Sequence, residues 1–417
     1  MTVLQIASLL IVLAGLFGTV NHLFLRLPSA IGILVVALIA SISVMAVDFV
    51  WPQIGIATAI RAEVDALEFS RTLLGWMLGL LLFAGALHVK VEELRAQAWT
   101  VALMATIGVA LSTAVAGFGF HWLTGVPILI SLVWGALISP TDPVAVLGVL
   151  RAANLRKSLE TQIAGESLFN DGVGYVVFLL LVGLAFTAHG DHHTEAGLVP
   201  ALQLFAQEAF GGALLGAVLG WLTFQLMKRI DDYPLEVLLS LGLAFGGYEL
   251  AVWLHVSGPI MAVVAGLFIG HVGMKHGMTA ETREYLDKFW ELVDEILNAI
   301  LFLMIGFEVF AVSLGFDAIL TGVVCIALSL LARTAAVLVP LGLLRPFRKY
   351  KTDVAPIMIW GGIKGGISVA LALSLPESEW KPIILTTTYI VVVFSIIVQG
   401  LTIAPLARRL NREPDLL

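Results

Sequence analysis

The sequence predicts an all-α polytopic membrane protein, with about thirteen transmembrane helices and no soluble domain. Hydrophobic residues make up 59% of the 417-residue chain and charged residues 13%, whereas a soluble domain carries roughly a quarter charged residues. The mean hydropathy is +0.99. Apolar runs of about 20 residues recur along the chain, which is the length that a helix needs to cross about 30 Å of hydrocarbon. Open strands cannot cross lipid with unpaired backbone groups, and no period-2 alternation indicates a barrel.

The predicted spans follow one another along the whole chain with short connections. They lie near residues 3–24, 28–47, 70–88, 97–121, 125–150, 159–187, 200–227, 234–254, 257–273, 288–313, 317–341, 353–375 and 381–406. The longest connections, near 48–69, 188–199 and 274–287, are too short to fold alone. The first run has no basic segment before it and no A-x-A site after it, so we do not expect a cleaved signal peptide.

Lysine and arginine alternate sharply between the two sides of the predicted bundle. Odd-numbered connections and the C-terminal tail hold Arg26, Lys90, Arg95, Arg151, Arg156, Lys157, Lys228, Arg229, Lys275, Arg283, Lys288, Arg345, Arg348, Lys349, Lys351, Arg408, Arg409 and Arg412. Even-numbered connections hold only Arg61, Arg71 and Lys381, while Arg333 and Lys364 lie inside spans. The positive-inside rule then predicts a multi-pass protein of the cell (inner) membrane, with its N-terminus outside and its C-terminus in the cytoplasm.

The cysteine and histidine residues limit which metal sites and disulfides this chain can form. Cys325 is the single cysteine, which excludes an internal disulfide and a cysteine-based metal site. The run DHHTE at 191–195 has the composition of a metal cluster, but it lies in a short external connection and is better explained as a solvated loop. We expect no cofactor.

The fifth span is interrupted by the run SPTDP at residues 139–143. Two prolines three residues apart remove backbone donors and clash with preceding carbonyls, so the helix should break here. A broken helix at membrane depth is tolerated where it lines a cavity or is buried in protein, and its free carbonyls and helix ends can bind a cation. A simple proline kink is the alternative, and Thr141 and Asp142 between the prolines make it less favoured.

A second interruption, GGIKGG at 361–366, lies in the twelfth span. Four glycines around Lys364 favour an unwound stretch. If spans 1–6 and 8–13 are inverted repeats, the two interrupted spans are the fifth member of each, which is the best sequence indication of a transporter site. In such a crossing, Asp142 and Lys364 would balance the partial charges of opposite pairs of helix ends.

The sixth span carries a carboxylate deep in an apolar run, GESLFNDGVGYVVF. An ionisable group at that depth is a functional-site hypothesis by default. Residues four apart differ by about 40° in azimuth on a helix, so Ser167 and Asp171 share one face and Glu166 and Asn170 another. Asp171, Ser167 and Thr141, through its side chain or carbonyl, could ligate a small hard cation.

Glu166 needs its own partner, and Arg333 in the run ALSLLARTAAVLVPL is the candidate. We expect that pair to be structural and not to carry ions. Glu291, Asp294 and Glu295 near the start of the tenth span are either an acidic funnel or ordinary N-terminal helix acids, and the sequence favours neither. The spacing of Gly212, Gly216 and Gly220 predicts a close-packing helix face.

The buried carboxylate suggests a mechanism. Burial in a medium of low dielectric constant favours the protonated carboxyl group, whereas a bound cation favours the ionised form. Cation and proton would therefore compete for Asp171, and alternate exposure of one shared site gives exchange. Because Asn170 is neutral, one titrating carboxylate is evident, and one cation exchanged for one proton would be electroneutral.

Over nearly its full length the chain carries a series of motifs in order: FAGALHVKVEELR, ISPTDPVAV, GESLFNDGVG, LMIGFEV, the Arg333 span, GGIKGGISVALALSLP and FSIIVQGLT. Together they resemble the monovalent cation/proton antiporters of the NhaP and NHE type, in a bacterial-like form. The resemblance implies a homodimer of the NhaA/NhaP-like fold, engaged in sodium transport and pH homeostasis. It also implies a transport bundle at approximately 97–187 and 317–406 and a dimerisation scaffold at approximately 3–88 and 200–313.

Carried over by motif, the resemblance implies that Asp171 is the shared cation and proton carrier. Ser167 and the Thr141 carbonyl would be ligands of the transported Na⁺, Asp142 would contribute at the crossing, and Asn170 fits the electroneutral Asn-Asp branch. Two departures stand out. Lys364 replaces a frequent arginine, which keeps the charge but loses bidentate bonding and leaves its partner open. The stretch FAGALH lacks an acidic residue that some relatives place near the site.

The leading hypothesis is therefore a Na⁺/H⁺ antiporter in the lipid bilayer, with Li⁺ or K⁺ as other possible substrates and no nucleic-acid partner. A K⁺/H⁺ antiporter of the same fold and a cation channel or transport-dead sensor are the alternatives. Selectivity depends on cavity size and ligand number, which the sequence does not reveal. We do not expect an enzyme, since no nucleophile–base motif is present.

Overall fold

The structure is a computed structural model, and it describes residues 3–51, 55, 75, 77–142, 156–186, 198–274, 277–312, 315–348 and 350–410. Some sequence predictions fall outside these residues: the DHHTE run, Pro143 with the rest of the fifth span, and the basic residues Arg61, Arg71, Arg151, Lys275, Lys349 and Arg412. Over the described residues the chain forms helices and connections, without a strand.

Sixteen helices, here numbered α1 to α16, are described. They are α1 (Val3–Val20), α2 (Ser29–Val50), α3 (Leu78–Leu87), α4 (Val91–Leu103), α5 (Val109–Thr124), α6 (Ile128–Leu137), α7 (Lys157–Phe186), α8 (Leu198–Met227), α9 (Tyr233–Trp253), α10 (Gly258–Phe268), α11 (Ala280–Phe307), α12 (Phe316–Leu344), α13 (Val354–Trp360), α14 (Gly366–Leu373), α15 (Lys381–Phe394) and α16 (Gly400–Leu410). Single π-helical turns extend α1 and α10, join α4 to α5 and join α15 to α16.

The helical membrane architecture is confirmed. Within the described residues, eight helices are long and apolar enough to cross a membrane, and three shorter apolar helices accompany them. Each predicted span coincides with a described helix or pair of helices over at least part of its length. The number thirteen stays a prediction, because length and composition alone do not settle it.

Two helices begin earlier than the sequence predicted. The tenth span was expected to start near residue 288, but α11 begins at Ala280, where the Thr279 side chain accepts a hydrogen bond from the backbone N–H of Thr282 at 3.3 Å. An ion pair between Glu284 and Lys288, at 2.5 Å, supports this first exposed part. Likewise α4 begins at Val91 rather than near residue 97. Both polar extensions lie outside what hydropathy detects.

The second predicted helix break is present, and at the first the helix ends as predicted, with the residues after Asp142 outside the described part of the chain. Helix α6 ends at Leu137, and residues 139–142 are not helical. Helix α13 ends at Trp360, and α14 starts again at Gly366 after an unwound stretch. The proline and the glycines act as expected: Pro140 cannot donate to the helix, and the glycine run adds no side-chain contacts that would favour helix.

The helices form two groups that touch each other. In the first, α7 packs on α4 and α6, α5 packs on α6 and α12, and α12 and α14 pack on α15; in the second, α10 packs on α3, α8 and α9, and α2 packs on α11. Helix α7 also contacts α8 and α10, and α14 contacts α11, where the two groups meet. Stacked rings of Phe120 and Trp134, with centroids 4.5 Å apart, join α5 to α6. The rings of Phe83 and Trp290, 4.7 Å apart, join α3 to α11. The assignment of these groups to a transport bundle and a scaffold stays a prediction.

The predicted glycine face of α8 is confirmed as a close-packing surface. A β-carbon added at Gly212 would lie 2.5 Å from the carbonyl oxygen of Ser257, and one added at Gly216 would lie 2.5 Å from that of Met261. One added at Gly220 would lie 3.1 Å from Cβ of Phe268. Helix α8 therefore approaches the backbone of α10 closely, as small residues allow.

Candidate ion-binding site

The two interrupted spans meet at their breaks. The backbone N–H of Asp142 donates a hydrogen bond to the carbonyl oxygen of Ile363 at 2.7 Å. A β-carbon added at Gly365 would lie 2.5 Å from Cβ of Asp142, so only glycine permits this approach. The unwound stretches thus satisfy part of their backbone through each other, in the middle of the bundle.

Lys364 bonds to the free carbonyl groups at the end of α6. Its ammonium donates to the carbonyl oxygens of Ser139 at 3.0 Å and Pro140 at 3.4 Å. The partner that the sequence left open is therefore a pair of backbone carbonyls at a negative helix end. A compact ammonium suits this geometry, since the two acceptors are single oxygens and not a planar carboxylate.

Thr141 links the broken helix to α7. Its hydroxyl oxygen lies 2.9 Å from Oγ of Ser167 and accepts a hydrogen bond from the side-chain amide of Asn170, also at 2.9 Å. The backbone N–H of Thr141 donates to Oδ1 of Asn170 at 3.3 Å. The asparagine therefore holds Thr141 in place from both sides, while Ser167 shares the face of Asp171.

Asp171 is buried and its carboxylate is incompletely satisfied. The side chain is 3% exposed, and Oδ1 has no hydrogen-bond partner. The negative charge of Asp142 repels the Asp171 carboxylate, and the positive charge of Lys364 attracts it. An ionised carboxylate at this depth needs a counter-charge or a proton, because desolvation penalises the free anion.

A cavity of about 860 Å³ connects this region with the ends of α4, α7 and α11. Thr141, Asp142 and Asp171 lie on its wall. Acidic residues dominate the remaining titratable side chains along it: Glu92, Glu93, Glu160, Asp287, Glu291, Asp294 and Glu295. The three acids of α11 that the sequence left between two explanations therefore face the cavity that contains Asp171.

Histidines line the same cavity and pair with some of its acids. Nε2 of His88 lies 3.3 Å from Asp287, and Nδ1 of His271 lies 3.5 Å from Glu92. The second contact joins α4 to the π-helical turn after α10, which belong to different helix groups. Lys90 and Lys157 are the basic cavity-lining residues.

Glu166 faces away from this cavity and lies against Arg333. The guanidinium forms two hydrogen bonds with the carboxylate, one of them 2.8 Å long from Nη2 to Oε2. Arg333 also donates to the carbonyl oxygen of Met358, at 3.1 Å from Nε and 2.8 Å from Nη2. The pair is buried and connects α7, α12 and α13 just before the second helix break. Its structural role stays a prediction.

Two features were missed at the sequence level. Ser368 lines the cavity with its hydroxyl oxygen buried and without a hydrogen-bond partner. Arg156 and Asp353 form a buried ion pair between the start of α7 and the start of α13. The first had a signal in the sequence, because Ser368 comes two residues after GGIKGG. The second had none, because Arg156 lies in a basic connection and Asp353 at the edge of a predicted span.

Comparison with known proteins settles the family. Residues 8–409 match the family of transmembrane sodium/hydrogen exchangers. The chain belongs to this sodium/hydrogen exchanger family. Among relatives of the exchanger family, the Na⁺/H⁺ antiporter NhaP of Pseudomonas aeruginosa is 44% identical over 418 residues, covering 98% of this chain and 97% of that protein.

A second relative and a solved structure are also similar to this chain. The Na⁺/H⁺ antiporter NhaH of Halobacillus dabanensis is 35% identical over 391 residues and covers 93% of each chain. The solved structure of the sodium proton antiporter MjNhaP1 from Methanocaldococcus jannaschii superposes with a TM-score of 0.78. That match covers 98% of this chain and 99% of the other at 18% identity, so it establishes the fold alone.

Proposed function

We propose that this protein is a secondary active antiporter that exchanges cytoplasmic Na⁺ or Li⁺ for H⁺ at one shared site. The observation that carries the proposal is the Asp171 carboxylate: it is 3% exposed, it lines a cavity, and one of its oxygens has no partner. Such a group is stabilised either by a proton or by a cation, and the two exclude each other. The names of the relatives support the same exchange.

The ligands of the cation come from the first helix break and from α7. Asp171 supplies the charge, Ser167 a hydroxyl oxygen, and Thr141 its hydroxyl or carbonyl oxygen. The contacts of Asn170 with Thr141 support a role for the amide in holding that ligand, at 2.9 and 3.3 Å. Oxygen ligands of this kind suit a small hard cation.

The charges around the site support electroneutral exchange. Asp142 and Lys364 carry opposite charges at the crossing, and the ammonium of Lys364 is bound to carbonyls. Asp171 then holds either one proton or one monovalent cation, and the loaded site has the same net charge in both cases. Exchange of one cation for one proton should therefore run at a rate that an imposed membrane potential leaves unchanged.

Alternating access follows if the bundle at 97–187 and 317–406 moves against the scaffold at 3–88 and 200–313. The most extensive helix contacts lie within each group, which supports this division, and α7 meets α8 and α10 where the groups touch. The proposal includes the homodimer that the family resemblance implies. It also places the protein in the cell (inner) membrane with the N-terminus outside and the C-terminus in the cytoplasm, on the strength of the basic connections. Native mass spectrometry tests the homodimer. Labelling of single cysteines introduced into a Cys325→Ser background tests the orientation in the membrane.

Vesicles with the purified protein test the exchange itself. Addition of Na⁺, Li⁺ or K⁺ to acid-loaded vesicles should alkalinise the lumen for each transported ion, and the ranking gives the selectivity. Asp171→Asn should abolish the response, whereas Asp317→Asn, the same change at an exposed helix end, should leave it intact. Retained exchange in Asp171→Asn would refute the shared site. A cation flux without proton movement would instead identify a channel.

A further inference from the structure

Ser368 occupies a special position on the second interrupted span. It is the third residue of α14, one helical turn beyond Lys364 and Gly365. Gly365 lies against Asp142, whose carboxyl group shares the cavity with Asp171. Ser368 itself lines this cavity, and the residue is 1% exposed.

The hydroxyl group of Ser368 has no hydrogen-bond partner. A serine inside a helix ordinarily donates to the carbonyl four residues earlier. For Ser368 that residue is Lys364, which lies in the unwound stretch and not in the helix. The helix break thus frees the hydroxyl group from the bond it would form elsewhere, and a buried polar group without a partner is unfavourable unless something binds it.

Other buried hydroxyl groups give a useful contrast. Thr386 and Thr388 on α15 are also fully buried without partners, but neither lines the cavity. Among the described cavity-lining residues, Asp171 and Ser368 are the two with a buried side-chain oxygen that has no partner. One of them carries a charge and the other is an uncharged oxygen donor.

We propose that Ser368 is a further ligand of the transported cation, supplied by the second interrupted span. This inference rests on the proposed antiport. A small hard cation that leaves its hydration shell needs several oxygens, and Asp171, Ser167 and Thr141 come only from α7 and from the stretch after α6. Ser368 adds an oxygen from α14 to the coordination shell of the cation, so both interrupted spans bind the ion. The distance between the two spans then contributes to ion selectivity.

Transport kinetics in vesicles test the proposal, with Na⁺ and Li⁺ as probes. Ser368→Ala should raise the KM for Na⁺ about three- to tenfold, the range of one lost polar contact, with a maximal rate close to that of the wild type. The ratio of the KM values for Li⁺ and Na⁺ should change, because one wall of the site is lost. Ser368→Thr should restore both values. Thr388→Val, which removes a buried hydroxyl group away from the cavity, should change neither.

A second variant covers the case in which alanine disturbs folding. Ser368→Cys is nearly isosteric, but its sulfur is a soft ligand, so the preference should shift from Na⁺ towards the soft monovalent cation Tl⁺. A purely structural serine would give unchanged Tl⁺/Na⁺ and Li⁺/Na⁺ ratios in all three variants, and that result would overturn the proposal. Wild-type and Asp171→Asn vesicles in the same series separate this failure from failure of the antiport itself.

Discussion

Removal of the buried charge on Glu166 is the sharpest test of how the site is supported. Glu166→Gln keeps the shape of the side chain and removes its charge. Arg333, 5% exposed, would keep its bonds to the carbonyl oxygen of Met358 but lose the carboxylate that balances it. The guanidinium cannot neutralise itself by losing a proton, so an unpaired buried cation remains.

The expected cost is large. Loss of one partner from a buried ion pair destabilises a protein by about 3–5 kcal/mol, because the remaining charge is uncompensated. The Met358 carbonyl offsets part of this through hydrogen bonds, but it supplies no charge. We therefore expect a clearly lower unfolding midpoint. Since Glu166 faces away from the cavity, the protein that stays folded should keep a KM for Na⁺ close to that of the wild type.

Thermal unfolding in detergent and Na⁺/H⁺ exchange in vesicles at low temperature measure the two effects. Glu377→Gln is the matched control: it breaks an exposed pair with Lys381, 2.7 Å long, which should contribute less than about 1 kcal/mol. Glu166→Leu with Arg333→Met should recover much of the lost stability, as apolar replacement of a buried pair often does. Wild-type stability in Glu166→Gln together with a raised KM would refute the structural assignment and make Glu166 part of the ion site.

Three further outcomes are expected. Gly365→Ala should abolish Na⁺/H⁺ exchange in vesicles, because the new methyl group would lie 2.5 Å from Cβ of Asp142. Gly246→Ala is the control: this glycine has open space around it, so the variant should exchange ions at the wild-type rate. Asp294→Asn should raise the KM for Na⁺ when vesicles are assayed at about 0.05 M ionic strength. In about 1 M choline chloride the KM should stay unchanged, because the Debye length is then only about 3 Å and Asp294 no longer attracts cations. A raised KM at both ionic strengths would indicate that Asp294 binds the ion directly. Lower pH should raise the KM for Na⁺, approaching about tenfold per pH unit, because protons then occupy Asp171 more often; a KM independent of pH would contradict competition.

Much of the fold follows from the sequence, because the thickness of the bilayer fixes the length of a spanning segment. The absence of water in its core also requires each segment to satisfy its own backbone hydrogen bonds, as a helix does. The helix breaks at Pro140 and at residues 361–366 were predictable from residue type: proline removes a backbone donor, and four glycines in six residues weaken a helix.

The early starts of α4 and α11 were not predictable, because their polar first turns carry no hydropathy signal. Helix α11 is capped by Thr279 and has the Glu284–Lys288 ion pair. Helix α4 has no side-chain cap, and Lys90 pairs with Glu93 at its start.

The site was predictable to the extent that it is local. Helical spacing places Ser167 beside Asp171 and separates both from Glu166, and this arithmetic needs no tertiary structure. The carbonyl partners of Lys364 could not be read from the sequence, because they depend on how two distant segments cross. The same holds for Ser368, whose hydroxyl group is informative only once the cavity and the absence of a local acceptor are known.

The close contact between α8 and α10 has a consequence for how the molecule can deform. Gly212 and Gly216 bring one backbone against the carbonyl oxygens of the other, with no side chain between them. A screw movement of α8 by one residue would bring Leu215 or Ala217 into a position where a β-carbon already lies too close to the backbone of α10, so small shifts of register are blocked. Helices α11 and α14, by contrast, meet through the flexible side chains of Leu301 and Ile305 over Gly366. Sliding of α8 along α10 is therefore blocked sterically, whereas α14 can shift along α11 if these side chains change rotamer.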